Sequence, residues 1–476
     1  MTVHNKVLSA LRWAIAGNFL ASAYTWGVSI YVIRLLEPKD YALMAIALVI
    51  TGLATMLREA GMGDLIIQKQ GVPEPLLRQI FGLIILLNLF FYVAIYGSAP
   101  FLAEFFEEPR LVSVLRILSL VLLIGMFGAL PDALLRQALN FKPMAHSKIV
   151  GALAGSTATL IFAYSGFGVW SLVYGQILTV VTSTLALFAA RPVLMMPSFR
   201  LTGVASTFTF GGTVTAERIL WFLQTRSDIF IVGKVLGSVA LGFYSVAQSI
   251  ATMPMSKVGS IVNRVAFPAY SELQSNKALL SSSFLKAAQI NALLFFPALW
   301  GISAIAGDMV PVVLGQKWIP AAVLLQIICL AIPIRSLAFM LSPALIGLGR
   351  PNVALRNVAT DFVILSCALL IGTYWGTVGV CVAWLFGAPL SFTINLRRSM
   401  PIIGASIMEL LSGILPTVAS AVVMYLAVGG LHLLWSGGGA LPRLLLSVAL
   451  GVLVFGAMSF AFNRPVVTRA TRLLRR

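Results

Sequence analysis

The sequence predicts an all-α polytopic membrane protein of about fourteen transmembrane helices, in two pseudo-symmetric six-helix lobes plus two C-terminal helices. Three observations predict it. Of 476 residues 59% are hydrophobic and 10% charged, whereas a soluble domain carries roughly 25% charged residues. Apolar runs recur at about the 20 residues that a span needs. The connections are short: even Leu135–Ser147 and Gly429–Leu441 cannot fold into a catalytic or receptor domain.

Gly, Pro and charged residues divide the chain into spans near 10–35, 41–60, 78–103, 111–134, 147–165 and 169–190. A polar stretch follows at 191–204, with Pro192 and Pro197, and reads as a cytoplasmic linker and hinge between halves. Further spans lie near 206–233, 239–265, 282–307, 319–346, 354–374, 377–396, 405–428 and 442–462. The expected organisation is therefore an N-terminal lobe over 1–190, the linker, a second lobe over 205–398, and two more spans with a basic tail over 399–476.

The net charge of +18 lies in short loops, so it reports topology rather than nucleic-acid binding. With the N-terminus placed in the cytoplasm, 23 of 33 Lys and Arg fall on that side. Seven fall opposite (Arg34, Lys39, Arg110, Arg116, Lys234, Lys317 and Arg443) and Arg218, Arg226 and Arg335 lie within spans. Cytoplasmic enrichment of Lys and Arg then puts both termini inside. Cys329, Cys367 and Cys381 all sit in apolar runs as packing residues. Met1–Val7 is short and polar and no cleavable signal is expected. His4, His146 and His432 are too scattered to act together, and no metal spacing, phosphate loop or nucleophile triad is present, so neither metal nor cofactor is expected.

Shifting the chain by about 200 residues places Tyr31–Leu36 over Ile231–Leu236, with Arg34 over Lys234, and Thr25 over Thr225. A second match sets Tyr164–Trp170 beside Tyr374–Val380, each a tight hairpin. Both matches join spans that run the same way, which predicts parallel repeats with a substrate site between them.

Ionisable groups at bilayer depth cost at least about 2.5–3.5 kcal/mol on insertion scales and mark candidate sites. Span seven is densest, with Glu217, Arg218, Gln224, Arg226 and Asp228. At about 100° per residue, Glu217, Gln224 and Asp228 share a face with Trp221 alongside, and Arg218 lies on the next. Glu217 and Arg218 read either as cavity residues or as a self-neutralising pair. Asp228 reads either as part of the cavity face or, with Arg226, as a helix end. Span one carries a milder stripe of Asn18, Ser22, Thr25 and Ser29. Arg58 and Glu59 sit near the end of span two, where long side chains snorkel. Arg335 follows Pro333 in span ten, with Pro343 beyond, predicting a kink near the charge. Asp361, a candidate cation or proton site, has no local partner. Arginines outweigh acids at depth, which suits an anionic cargo, because guanidinium stays charged and pairs bidentately with phosphate.

Arg58-Glu-Ala-Gly61-Met-Gly63-Asp64 through Gln68 resembles the glycine-rich turn of bacterial oligosaccharide flippases of the Wzx type. Asp228–Gly237, followed by Leu241–Ala247, is similar to their span seven–eight signature. These flippases belong to the multidrug/oligosaccharidyl-lipid/polysaccharide exporter superfamily, and the likeness is greatest to the exopolysaccharide and lipopolysaccharide branch. The resemblance implies transport, without catalysis, of undecaprenyl-diphosphate-linked oligosaccharide from the cytoplasmic to the periplasmic leaflet of the bacterial inner membrane. Membrane lipids, a polysaccharide polymerase and export machinery are the implied partners. On the residues above, Arg218, Arg335 and Arg58 are expected to hold the diphosphate. Asn18, Ser22, Thr25, Trp221 and Gln224 would meet sugar, and Glu217, Asp228 or Asp361 would bind a coupling ion. A drug/cation antiporter or peptidoglycan-precursor flippase of the same superfamily is the alternative. A membrane polymerase or glycosyltransferase would need a larger extramembrane loop.

Overall fold

The computed structural model describes residues 20–59, 73–138, 140–193, 195–199, 212–272, 276–435 and 439–464, with side chains described throughout except at 59, 212–215 and 256–272. Among these residues all regular structure is helical, as lipid demands of a chain whose backbone groups must bond within the same segment.

The helices are α1 (20–35), α2 (Pro38–Glu59), α3 (Glu74–Phe105), α4 (Leu111–Leu118), α5 (Leu120–Gln137), α6 (Phe141–Tyr164), α7 (Val169–Ala190) and α8 (Gly212–Val235). After them come α9 (Gly237–Glu272), α10 (Lys277–Met309), α11 (Ile319–Ala338), α12 (Leu341–Gly347), α13 (Pro351–Gly372), α14 (Gly376–Ile403), α15 (Ile407–Leu434) and α16 (Ala440–Phe462). Ten stretches of the described residues are long and apolar enough to cross a membrane. One of them, Pro351–Ile403, holds both α13 and α14, joined by the tight turn Thr373–Trp375. Outside the ten lie α1, α9 and the charge-laden α8.

Several helices outrun the apolar windows of the sequence. The stretch expected to be a long loop at 135–147 is mostly helix, because α5 continues to Gln137 and α6 begins at Phe141. Similarly α14 continues through Arg397 and Arg398 to Ile403, and α15 reaches Leu434. Hydropathy registers only the apolar part of a helix, and polar first and last turns project into the headgroup region. Span ten breaks as expected, at Phe339–Met340. Pro343 has no N–H to give the Phe339 carbonyl four residues back, so the ladder stops there.

The helices cluster in two units: Met1–Thr215 with Gly237–Gly242, and Ala216–Leu236 with Phe243–Arg476. In the first unit, α6 and α7 cross at paired glycines. A Cβ on Gly155 would meet the Gly175 carbonyl oxygen at 2.7 Å, and one on Gly175 would meet that of Gly155 at 3.0 Å. Thr159 and Thr179 return their hydroxyls to these same carbonyls at 2.9 Å. Small residues thus let the two backbones approach, the usual source of helix association in lipid. At one end of this unit Asp40 pairs with Arg110 at 3.6 Å and lies beside Gly168, bringing the α1–α2, α3–α4 and α6–α7 turns together. The described part of the expected hinge is strapped to α3. Ser198 N–H donates to the Arg78 carbonyl at 2.9 Å, and Val193 and Met195 pack on Ile80, Leu83 and Leu130.

In the second unit, Phe284, Ala292 and Phe296 of α10 pack with Leu337, Phe392, Leu396 and Ile414. The last two helices lie on α10, and Arg443 grips Asp308 through both carboxylate oxygens. His432 reaches Ser447 at 2.9 Å and Asp308 at 3.6 Å beside that grip.

Replacing Gly155 with Val overpacks the α6–α7 crossing and is expected to destabilise the protein by about 1–3 kcal/mol. Gly97→Ala, which faces open space, serves as the neutral control. Thermal unfolding in detergent reads both, and equal midpoints would contradict the crossing.

Candidate functional site

Helix α8 places one polar face inward. Glu217, Gln224 and Asp228 are 6%, 3% and 0% exposed, as the 100° spacing predicts. Arg218 and Arg226 are exposed on other faces. Trp221 is 43% exposed, with its ring 6.1 Å from that of Phe339. The Ser342 hydroxyl donates to Glu217 at 2.6 Å, so Glu217 has a partner beyond its neighbour Arg218.

Asp228 lies inside α8 rather than at its end. Tyr244 donates its hydroxyl to Oδ2 at 2.8 Å, Gln248 donates its amide to the same oxygen, and the Ile229 N–H donates to Oδ1 at 2.9 Å. Trp384 donates its indole N–H to the Tyr244 oxygen at 2.9 Å. The carboxylate is thus the end of a donor chain drawn from α8, α9 and α14. Buried polar groups of this kind hold only when each one is satisfied.

Arg335 stands beside this chain. Its guanidinium lies 4.5 Å from the centroid of Trp384 and 5.3 Å from that of Phe339. It is 8% exposed, and its Nε has no hydrogen-bond partner among the described residues. Asp228 and Asp361 act on it electrostatically without touching it. With Gln248, Ile332 and Trp384 it borders a cavity of about 10 Å³, room for about one water. Aromatic faces carry the cation while leaving its N–H donors uncommitted.

The partner of Asp361, invisible along the sequence, comes from the next helix: Asn395 donates to it at 2.8 Å. Asn395 also contacts the Asn357 carbonyl at 3.4 Å, and Asn357 bonds Ser399 at 2.8 Å and Arg398 at 3.0 Å. A polar ladder therefore follows the α13–α14 hairpin from Arg398 to Asp361.

Arg58 belongs to the first unit. It is 9% exposed and donates to Asn88 at 3.3 Å, so it is packed between helices rather than snorkelling at the helix end as the sequence suggested. In α1, Thr25 spends its hydroxyl on the Ser22 carbonyl at 2.9 Å. Ser22 and Thr25 are half-buried, and Asn18 lies outside the described residues. So do residues 60–72, which include most of the glycine-rich turn, and the side chain of Glu59.

A family model described as "Polysaccharide biosynthesis protein" matches residues 31–323. The chain belongs to this family. It is a multi-pass membrane protein of polysaccharide biosynthesis. Among relatives of the polysaccharide biosynthesis family, the lipopolysaccharide biosynthesis protein WzxC of Escherichia coli (strain K12) is 25% identical over 96% of this chain and 90% of its own length. The teichuronic acid biosynthesis protein TuaB of Bacillus subtilis (strain 168) is 26% identical over 71% of this chain and 70% of its own. The succinoglycan biosynthesis transport protein ExoT of Rhizobium meliloti (strain 1021) is 23% identical over 81% and 78%. The fold is that of the lipid II flippase MurJ, with TM-score 0.77, 13% identity and coverage of 95% of this chain and all of that one. A multidrug-resistance MATE transporter follows the same architecture, with TM-score 0.63, 17% identity and coverage of 81% and 95%.

Tyr244→Phe removes the hydroxyl shared by Asp228 and Trp384, and is expected to cost about 1–3 kcal/mol. In an Asp228→Asn background the same change should cost less, with a coupling of at least about 0.5 kcal/mol. Equilibrium unfolding of the four variants measures this, and strict additivity would contradict a shared network.

Proposed function

We propose that this protein is a flippase for undecaprenyl-diphosphate-linked oligosaccharide units. It carries them by alternating access from the cytoplasmic to the periplasmic leaflet of the bacterial inner membrane, for exopolysaccharide or lipopolysaccharide assembly. It is a transporter, not an enzyme, and both termini lie in the cytoplasm on the Lys/Arg bias. The observation that carries the reading is Arg335: a buried guanidinium supported by aromatic rings, with a donor unspent. Such a cation attracts an anionic headgroup and repels a cationic drug. Family membership and the names of the relatives point to glycan transport.

In this reading Arg218, exposed on α8, meets the diphosphate directly. Arg335 acts through its field from beside the small cavity, and Arg58 is the diphosphate candidate of the first unit, taken by itself. Trp221 offers sugar an aromatic face on the helix that carries Gln224, and Asn18, Ser22 and Thr25 are the sugar candidates of the first unit. Asp228 is the foremost coupling-ion candidate, ahead of Glu217 and Asp361, because its donors come from two helices and a third helix braces one of them through Trp384. The two lobes of 1–190 and 205–398, with 399–476 appended, remain the proposed division. A polymerase and export machinery would receive the product. A peptidoglycan precursor presents the same lipid diphosphate, and the fold shared with MurJ favours that as the second reading.

Deleting the gene should make lipid-linked oligosaccharide accumulate on the cytoplasmic leaflet, with the wild-type gene restoring export and Arg218→Ala and Arg335→Ala doing so poorly. Unaltered lipid-linked pools with lost drug efflux would overturn the function. Full complementation by both variants would remove the site assignment alone.

A further inference from the structure

A second basic site lies in the first unit, and none of its lining residues is among the cargo or coupling candidates above. A groove of about 360 Å³ runs where α3 meets α4 and the start of α5, lined by Tyr92, Tyr96, Val112, Ser113, Arg116 and Leu120 among others. That volume is roughly the lower end of what small-molecule sites enclose. The guanidinium of Arg116 stacks over Tyr96 at 4.4 Å, and its Nε leans on the Tyr96 carbonyl at 3.5 Å. The Tyr92 and Tyr96 rings are 5.9 Å apart.

Arg116 has neither an ion pair nor a further side-chain hydrogen bond among the described residues. Its neighbour Arg110 does, pairing with Asp40. Arg116 nevertheless belongs to Leu111–Gln137, a stretch apolar enough to cross a membrane. An arginine in such a stretch needs a counter-charge. It lies five residues past Leu111, about 8 Å along the helix, near the end of the span, and tyrosines gather at such ends. Tyr96 is 43% exposed and Ser113 is exposed, so the groove is open.

We propose that this groove binds the headgroup phosphodiester of an anionic phospholipid. Arg116 gives its two terminal nitrogens to the phosphate, the two tyrosines flank the glycerol, and Ser113, whose hydroxyl donates to the Arg110 carbonyl at 3.0 Å, forms part of the wall. The lining holds one cation and no acid, which favours a headgroup of net negative charge. Basic pockets between spanning helices elsewhere recognise lipid headgroups by the same chemistry. Such a lipid would brace the α3–α4 turn.

Native mass spectrometry of the full purified chain, titrated with phosphatidylglycerol, tests this. Arg116→Ala should weaken the tightest lipid site by about fivefold or more, the factor expected for one basic residue at a charged surface. Ser113→Trp, which fills the groove and keeps the charge, should do the same, while Arg116→Lys should retain part of the affinity and show that the fold survives. Arg110→Ala should leave that site unchanged. Wild-type affinity in both Arg116→Ala and Ser113→Trp would overturn the proposal. So would equal binding of phosphatidylcholine, or displacement of the lipid by an alkyl maltoside, which would make the groove a sugar site.

Discussion

A carboxylate with no exposure, set inside the charge-laden helix α8, constrains the second unit more than any other described group. Asp228 can be ionised there only if donors surround it and a cation lies within its field, because an isolated buried charge is several kcal/mol too costly. Tyr244 and Gln248 on α9 and the Ile229 N–H answer the first need, with Trp384 on α14 holding the Tyr244 hydroxyl, and Arg335 on α11 answers the second. Four helices are thereby fixed in rotation about their axes. The indole serves twice, its N–H anchoring the Tyr244 hydroxyl and its face carrying Arg335.

Elsewhere the two units use different means to hold helices together. In the first, glycine–threonine pairs bring α6 and α7 into backbone contact without spending charge. In the second, Asp308 ties α10 to Arg443 of α16, with His432 of α15 beside it. That clamp gives the two C-terminal helices a definite seat. The break at Phe339–Met340 lies just beyond Arg335 and carries the Phe339 ring that faces both Arg335 and Trp221. Any movement about this break changes the surroundings of the buried arginine and of the exposed indole together, linking helix geometry to cargo contact.

Fold class and the polar face of α8 were legible in the sequence because each depends on local quantities. Hydropathy needs only a window of neighbours, and the shared face of Glu217, Gln224 and Asp228 needs only helical pitch. The partners were not legible. Tyr244, Ser342 and Asn395 reach their acids across 16 to 125 residues of sequence, and Trp384 reaches the Tyr244 hydroxyl across 140. Arg58 lies in the last turn of α2, as its place in the sequence predicts, but its side chain is held by Asn88, a partner that only the packing of α3 reveals. Helix ends were set short for the opposite reason: Lys142, Lys277 and Arg397 are polar, yet they continue helices past the hydrocarbon.

A protein made of spans thus holds an interior cation whose Nε has no partner among the described residues. Transport of an anionic lipid headgroup is the use that fits such a group, and the exposed Arg218 and Trp221 on the adjoining helix extend it toward solvent. The most direct test is translocation of a fluorescent polyprenyl-diphosphate oligosaccharide in liposomes containing the purified protein. Wild type should move it, and a folded Arg335→Met variant should be slower by about tenfold to a hundredfold, the worth of hydrogen bonds to a charged group. Arg335→Lys, which keeps charge but loses planar stacking, should fall between. Equal rates for wild type and Arg335→Met would contradict the account.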